Sequence, residues 1–267
     1  MFGEALVDDF PFAAFVSKTI TVAPRAGNPP PRLWEAPAGM INSIGLPNKG
    51  LERYLAEDLP QLVELPVPLI TNVMGSTAAE ISTLLEAVDD RDEIAAVELN
   101  VSCPNVKTGL DIGADPPELA SVLGAVRART SKPLIVKLTP NTADVAAVAE
   151  AAEASGADAV SLINTLRAFA PDPGRPGRPW LGGGTGGLSG PAIRAVALAQ
   201  VAAVARRVSI PVVGMGGVQT GEHAAQFLDS GATLVAVGTE SFRDPAAGAR
   251  ISRELHDLFA KSGAVVG

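Results

Sequence analysis

Short apolar runs rich in β-branched residues alternate with longer stretches rich in alanine and leucine along most of the chain. Most of the short runs are continuously apolar, which is typical of strands covered on both faces. The predicted strands are residues 15–20, 69–73, 96–101, 134–138, 159–163, 212–215 and 234–237. The predicted helices are residues 50–64, 77–88, 117–130, 142–155, 190–208, 220–230 and 244–261. This alternation predicts a parallel sheet built from repeated strand–helix units.

Residues at the predicted helix ends agree with these boundaries. Thr77, Thr142 and Thr220 stand where an N-cap is expected. Gly156 and Gly231 stand where a helix ends, because glycine accepts the left-handed conformation found there.

Seven successive units approach the number in a (β/α)₈ barrel. The chain begins close to its first predicted strand, so we expect a TIM barrel that is shortened at the N-terminus. The sequence contains no evident linker, which predicts a single domain over residues 1–267. Residues 167–187 are rich in proline, glycine and arginine, and they are predicted to form a long loop over one mouth of the barrel.

Composition excludes several classes of protein. Hydrophobic residues make up 47% of the 267 positions, which is too many for a disordered chain. The net charge of −8 disfavours binding to nucleic acid or to an anionic membrane surface. The sequence has no apolar stretch long enough to span a membrane and no signal peptide, so a cytoplasmic protein is expected. The single cysteine, Cys103, excludes a disulfide framework and a multi-cysteine metal site within one chain.

Polar residues follow nearly every predicted strand, at the end where barrels carry their functional groups. Lys18 and Lys137 would face one mouth and repel each other, which indicates an anionic ligand there. Glycines after the last two strands, at residues 216–217 and 238, indicate a phosphate site next to helix N-termini. Cys103 stands among polar residues at the same mouth. Its chemistry leaves two roles open, a nucleophile or base and a packed apolar side chain.

The segments that carry these residues are, together and in order, similar to those of the class 1 dihydroorotate dehydrogenases. They are NSIGL at residues 42–46, NVSCPN at 100–105, VKLTP at 136–140, INT at 163–165, GGLSG at 186–190, GMGG at 214–217 and VGT at 237–239. The likeness runs from about residue 2 to the C-terminus. It is strongest to class 1B, the NAD-linked form that works with an iron–sulfur flavoprotein subunit.

The resemblance implies an FMN-dependent oxidoreductase that converts (S)-dihydroorotate to orotate in pyrimidine biosynthesis. It implies a homodimer, to which class 1B adds an iron–sulfur and FAD electron-transfer subunit. The sequence leaves three electron acceptors open: NAD⁺ through that partner, a soluble acceptor such as fumarate, and oxygen. The implied catalytic residues are Cys103 and Lys18. Cys103 would be the base that removes the C5 proton while hydride passes from C6 to flavin N5, and Lys18 would lie between substrate and flavin. The implied substrate-binding residues are Lys18, Asn42, Ser43, Ile44, Gly45, Leu46, Asn100, Asn105, Asn164 and Thr165. The implied FMN-binding residues are Ser17, Lys18, Asn72, Asn100, Lys137, Ile163, Gly190, Gly216, Gly217, Gly238 and Thr239. The resemblance implies no metal ligand.

One departure from the family keeps alternatives open. Family members have a strand before the segment that corresponds to residues 2–4, and this sequence begins after it. A dihydropyrimidine dehydrogenase-like flavin domain would share the barrel, the FMN and the cysteine. A non-catalytic barrel that binds flavin or a partner would fit the shortened N-terminus.

Overall fold

Eleven strands and nine α-helices make up the part of the chain that a computed structural model describes, residues 10–101 and 112–262. The strands are β1 Phe15–Val16, β2 Leu33–Ala36, β3 Gly39–Asn42, β4 Leu69–Val73, β5 Ile94–Asn100, β6 Leu134–Lys137, β7 Ala159–Leu162, β8 Leu166–Ala168, β9 Gly186–Ser189, β10 Val212–Met215 and β11 Leu234–Ala236. The helices are α1 Leu51–Arg53, α2 Leu59–Leu62, α3 Ala78–Asp89, α4 Pro116–Val126, α5 Val145–Ala154, α6 Arg194–Ala205, α7 Gly221–Asp229, α8 Glu240–Arg243 and α9 Ala247–Ser262.

Seven strands form one parallel sheet in the order β1-β4-β5-β6-β7-β10-β11, and helices follow most of them in the chain. All seven are strands predicted from the sequence, and the predicted helices are present within a few residues of their expected ends. The curled parallel sheet with its helices is of the TIM-barrel type, so the predicted fold class is confirmed. The first strand is shorter than predicted. Beyond Val16 the pairing with β4 is reduced to an isolated bridge between Ile20 and Val73.

The main core lies between the parallel sheet and its helices. Helix α3 buries Ile81, Leu84, Leu85 and Val88, whose spacing of three and four places them on one face. Strand residues such as Val97 are fully buried beneath them. Apolar burial of this kind is the main stabilising contribution to a fold.

The structure corrects one of the predicted helix caps. Thr77 Oγ1 accepts from Glu80 N at 3.2 Å, and Thr220 Oγ1 accepts from His223 N at 3.2 Å, as predicted. Helix α5 is capped instead by Asp144, whose Oδ1 accepts from the amides of Ala146 and Ala147. The hydroxyl of Thr142 donates to Ala114 O at 2.9 Å, so this threonine joins two loops. Gly156 and Gly231 have φ angles of 89° and 98°, which confirms them as helix-ending glycines.

Four short strands form a second, antiparallel sheet in the order β2-β3-β9-β8, which the sequence analysis missed. Residues 167–187 are therefore not one long loop, because their two ends belong to β8 and β9. The Trp34 and Trp180 rings meet edge to face at 5.6 Å, beside a small core that includes Ile41 and Leu181. This packing holds the second sheet together.

The parallel sheet is open along one side in the described residues. There, β1 and β11 each pair with only one neighbouring strand. Val16 on β1 and Leu234 on β11 are 41% and 53% exposed. No helix in the described ranges has the length and apolar character needed to cross a membrane.

Candidate active site

A cavity of about 230 Å³ lies where the ends of the parallel strands meet the second sheet. Its lining contains nine of the ten predicted substrate-binding residues: Lys18, Asn42, Ser43, Ile44, Gly45, Leu46, Asn100, Asn164 and Thr165. The remaining one, Asn105, lies outside the described residues, as does Cys103. Residues that are far apart in the sequence are thus brought to one place.

Residues 42–46 form one wall of the cavity. Asn42 ends β3 opposite Gly187 of β9, and its Nδ2 donates to Gly187 O at 3.3 Å. Gly45 and Leu46 then take positive φ angles of 77° and 55°, which turn the backbone sharply. Asn28 Nδ2 holds this turn by donating to Ser43 Oγ at 3.0 Å.

Asn141 holds a second part of the cavity lining and was not predicted. Its Nδ2 donates to Thr165 O at 3.0 Å, and its Oδ1 accepts from Arg167 N at 2.8 Å. Arg167 also lines the cavity, together with Thr185, Gly186 and Gly187. Arg167 is thus a second cationic residue of the lining, with Lys18. The position of Asn141, just after a strand and its Pro140, was the available signal in the sequence.

Lys18 lies in an environment that disfavours its charge. The residue as a whole is exposed, and it lines the cavity. Burial of its ammonium group lowers the pKa of Lys18 below its ordinary 10.5, and the positive charge of Lys137 lowers it further. A bound anion would offset both effects, in agreement with the anionic ligand predicted from the sequence.

A row of polar side chains, buried except for the half-buried Lys137, crosses the middle strands on the face that carries Asn100. Asn72 lies opposite Glu98 across β4 and β5, and Asn100 lies opposite Lys137 across β5 and β6. Ser161 lies opposite Lys137 across β6 and β7. Glu98 is 3% exposed and was not predicted as a site residue. The signal was a carboxylate inside an otherwise apolar strand.

The Ser17 hydroxyl connects this row to β1. Its Oγ accepts from the amide of Asn72 at 3.1 Å and donates to Lys18 O at 3.3 Å. Tyr54 Oη and Thr71 Oγ1 form a buried hydrogen bond of 2.8 Å on the neighbouring strand. Burial raises the pKa of Tyr54, so its phenol stays protonated and neutral at physiological pH.

The glycines predicted to hold a phosphate come together at the ends of β9, β10 and β11. A Cβ on Gly217 would lie 2.8 Å from Gly190 O, and a Cβ on Gly190 would lie 3.7 Å from Thr239 Cγ2. A Cβ on Gly216 would lie 3.3 Å from Ile163 Cγ1, so this predicted flavin contact adjoins the glycines. A Cβ on Gly238 would meet no described atom within 4 Å, so space remains beside that backbone.

Arg194 places a cation beside the same glycines, which the sequence analysis also missed. Its Nη1 lies 3.5 Å from Gly217 O and 3.0 Å from His223 Nδ1. Burial lowers the pKa of His223, and the charge of Arg194 lowers it further. Backbone amides with open space and a nearby guanidinium are the groups that bind phosphate.

Comparison with known proteins identifies the family. The family model described as dihydroorotate dehydrogenase matches residues 4–259. The chain belongs to the dihydroorotate dehydrogenase family.

Its relatives are similar over most of their length. The protein named dihydroorotate dehydrogenase B (NAD(+)), catalytic subunit, from Geotalea daltonii is 46% identical over 94% of this chain and 82% of its own length. The protein of the same name from Geobacter sulfurreducens is 47% identical over the same shares. The crystal structure of DHODH in complex with ferulenol from Eimeria tenella has a TM-score of 0.78 at 23% identity. The match covers 95% of this chain and 76% of the Eimeria tenella chain, and it supports the fold alone.

These matches confirm the family and class predicted from the sequence. Dihydroorotate dehydrogenases are oxidoreductases of pyrimidine biosynthesis, and the class 1B assignment agrees with the names of the relatives. The dihydropyrimidine dehydrogenase-like alternative and the non-catalytic alternative are not favoured. The roles of individual site residues stay predictions.

Proposed function

We propose that this dihydroorotate dehydrogenase is the FMN-containing catalytic subunit of an NAD-linked enzyme that oxidises (S)-dihydroorotate to orotate. The observation that carries the proposal is the convergence of nine predicted substrate-binding residues on one cavity. The proposal also includes a single FMN-binding domain over residues 1–267 and a cytoplasmic location.

The described residues fit a flavin nucleotide. Asn72 Oδ1 is buried and has no hydrogen-bond partner in the described part of the chain, so it can accept from a ligand N–H group. Ser17, Lys18, Asn100, Lys137 and Ile163 would surround the ring system with it. Gly190, Gly216, Gly217, Gly238 and Thr239 would hold the phosphate through backbone amides. Bound FMN would supply the acceptor for the hydride from substrate C6.

The cavity residues would bind and orient the substrate. Lys18 and Arg167 provide cations for its carboxylate. The amides of Asn42, Asn100 and Asn164 can both donate to and accept from a pyrimidine ring. Paired polar groups of this kind give strong selectivity, because an analogue that lacks one group leaves its partner unsatisfied.

Cys103 would take the C5 proton of dihydroorotate. It follows the end of β5 by three positions, next to a strand end that lines the cavity. A free thiol has a pKa of about 8.5, and the cationic lysines proposed for the same site, Lys18 and Lys137, would favour the thiolate if the segment brings Cys103 to them.

Electrons would then leave through another protein. This chain contains one cysteine, too few for the four cysteine ligands of a common iron–sulfur cluster. We propose a homodimer of this chain that works with an iron–sulfur and FAD subunit and passes electrons to NAD⁺. The relatives named as catalytic subunits support such a partner.

The Cys103→Ser variant tests the proposed base. A hydroxyl is a far weaker base than a thiol, so we expect orotate formation near neutral pH to fall by about a hundredfold or more. The FMN content of the purified variant should stay as in the wild type, which separates loss of the base from loss of the cofactor. Unchanged turnover in Cys103→Ser would defeat the assignment.

A further inference from the structure

Glu98 is a buried carboxylate to which the proposed reaction gives no role. It lies on β5 two positions before Asn100, so both side chains are on the same face of the strand. Its exposure is 3%, and burying a carboxylate is unfavourable unless it is paired and hydrogen-bonded. Such a group in an apolar strand requires an explanation.

Three side chains from three neighbouring strands contact the Glu98 carboxylate. Asn72 Nδ2 donates to its Oε2, and Ser161 Oγ donates to its Oε1 at 2.7 Å. Lys137 Nζ lies 3.6 Å from Oε2. One carboxylate thus links β4, β6 and β7, and two of these strands carry the predicted cofactor residues Asn72 and Lys137.

The bond to Glu98 fixes the orientation of the Asn72 amide. A carboxylate can only accept hydrogen bonds, so Asn72 must turn its NH₂ group toward Glu98. This leaves Oδ1 on the other side, buried and without a partner among residues 10–101 and 112–262. A buried acceptor left in this way indicates a ligand that donates to it.

Glu98 also compensates the charge of Lys137. Lys18 and Lys137 are close enough for the charge of Lys137 to lower the pKa of Lys18. The Lys137 side chain is only 22% exposed, so water compensates its charge incompletely. The carboxylate holds this ammonium at the strand end beside Asn100.

We propose that Glu98 is a positioning residue of the flavin site. It keeps the Asn72 oxygen free for the cofactor, holds Lys137 in place, and sets the net charge beside the flavin. This inference rests on the proposed function, because it takes FMN as the ligand.

The Glu98→Gln variant tests the charge alone. Its amide oxygen can still accept from Asn72 and Lys137, and its amide nitrogen can donate to Ser161 Oγ. Removing the negative charge leaves Lys137 uncompensated, which favours the more negative reduced flavin. We expect FMN affinity within a few-fold of wild type. We also expect the ratio of reduced to oxidised flavin at a fixed potential to rise about tenfold, a shift of about 30 mV for a two-electron couple.

The Glu98→Ala variant tests the positioning. Without its acceptor the Asn72 amide can rotate and Lys137 loses its anchor, so we expect FMN to bind about tenfold more weakly or worse. The conservative Glu98→Gln substitution should restore the FMN affinity that Glu98→Ala loses. Asp172→Asn is the matched control, because it neutralises another buried carboxylate that pairs with Arg175 outside the cavity lining. It should change neither quantity.

Flavin fluorescence measures the affinities, and anaerobic equilibration with redox dyes measures the midpoint potentials. Three results would overturn the inference. They are an unchanged midpoint potential in Glu98→Gln, a wild-type FMN affinity in Glu98→Ala, and a shift of the midpoint potential in Asp172→Asn equal to that in Glu98→Gln. If Glu98→Ala does not fold, the potential of the isosteric Glu98→Gln decides alone. A wild-type protein without FMN affinity would overturn the proposed function before any variant is compared.

Discussion

At the scale of single residues, the cavity is distinguished by its cations. Arg167 lines it, and its guanidinium forms no hydrogen bond or ion pair with any residue that the structure describes. We predict that Arg167→Gln raises KM for dihydroorotate about tenfold with little change in kcat, because a cation that binds the carboxylate acts equally in ground and transition states. The control variant is Arg178→Gln, because Arg178 is an exposed arginine between β8 and β9. Steady-state kinetics compares the two variants with the wild type. Equal KM values for the three proteins would contradict the role.

The lowered pKa of Lys18 predicts a pH dependence for product binding. Burial and the charge of Lys137 put this pKa below 10.5 in the free protein, and a bound carboxylate favours the protonated amine. Orotate affinity should therefore fall as pH rises through the lowered pKa, by about tenfold per pH unit above it. Titration of wild type and Lys18→Met measures this. An equally steep loss in the variant would assign the dependence to another group.

Motif residues were predictable at this scale, and residues that act through others were not. Asn100 and Asn164 belong to short segments that carry their own signal. Glu98 and Asn141 gain their meaning only from contacts across strands, with Asn72 and with Thr165. A single sequence shows a charge within an apolar run, but it does not show which neighbour that charge meets.

At the scale of elements, the parallel strands were predictable because each is an apolar run buried on both faces. The second sheet lacks that pattern. Strand β9 is Gly-Gly-Leu-Ser, and β2 exposes Leu33 to solvent. It forms through pairing between Asn42 and Gly187, 145 positions apart, and through packing of Trp34 on Trp180. Interactions of such long range leave little trace in local sequence.

Gly187 tests how closely the second sheet approaches the site. A Cβ at this position would lie 2.0 Å from Thr165 Oγ1, so Gly187→Ala must displace a cavity residue. We predict that KM for dihydroorotate rises at least about tenfold, since a small displacement of binding groups is costly. Gly124→Ala is the matched control on an exposed face of α4, where a Cβ meets no described atom within 4 Å. It should leave KM unchanged and raise the free energy of unfolding by about 0.5–1 kcal/mol. A Gly187→Ala enzyme with wild-type KM would contradict the close approach of the second sheet to the substrate site.

At the scale of the whole molecule, the proposed cofactor residues extend from one edge of the open sheet to the other. Ser17 follows β1, and Thr239 follows β11. A ligand that contacts both would stabilise the folded state in proportion to its occupancy. At a free FMN concentration of 100 times Kd, we expect about 2.7 kcal/mol of added stability. For a chain of this size that corresponds to a rise in Tm of about 5 °C or more.

Thermal unfolding at increasing FMN concentrations measures this stabilisation. Riboflavin is the control, since it lacks the phosphate that Gly216, Gly217 and Gly238 would bind, and it should raise Tm less at the same concentration. A Tm that does not depend on FMN, or an equal effect of riboflavin, would contradict the proposed placement.

The central claim is that this dihydroorotate dehydrogenase chain holds a flavin which its substrate reduces. The most direct test is the visible spectrum of the purified protein under anaerobic conditions, before and after addition of dihydroorotate. We predict a yellow protein whose flavin absorbance bleaches on addition. A yellow protein that does not bleach, or a protein that remains colourless after incubation with FMN, would contradict the claim.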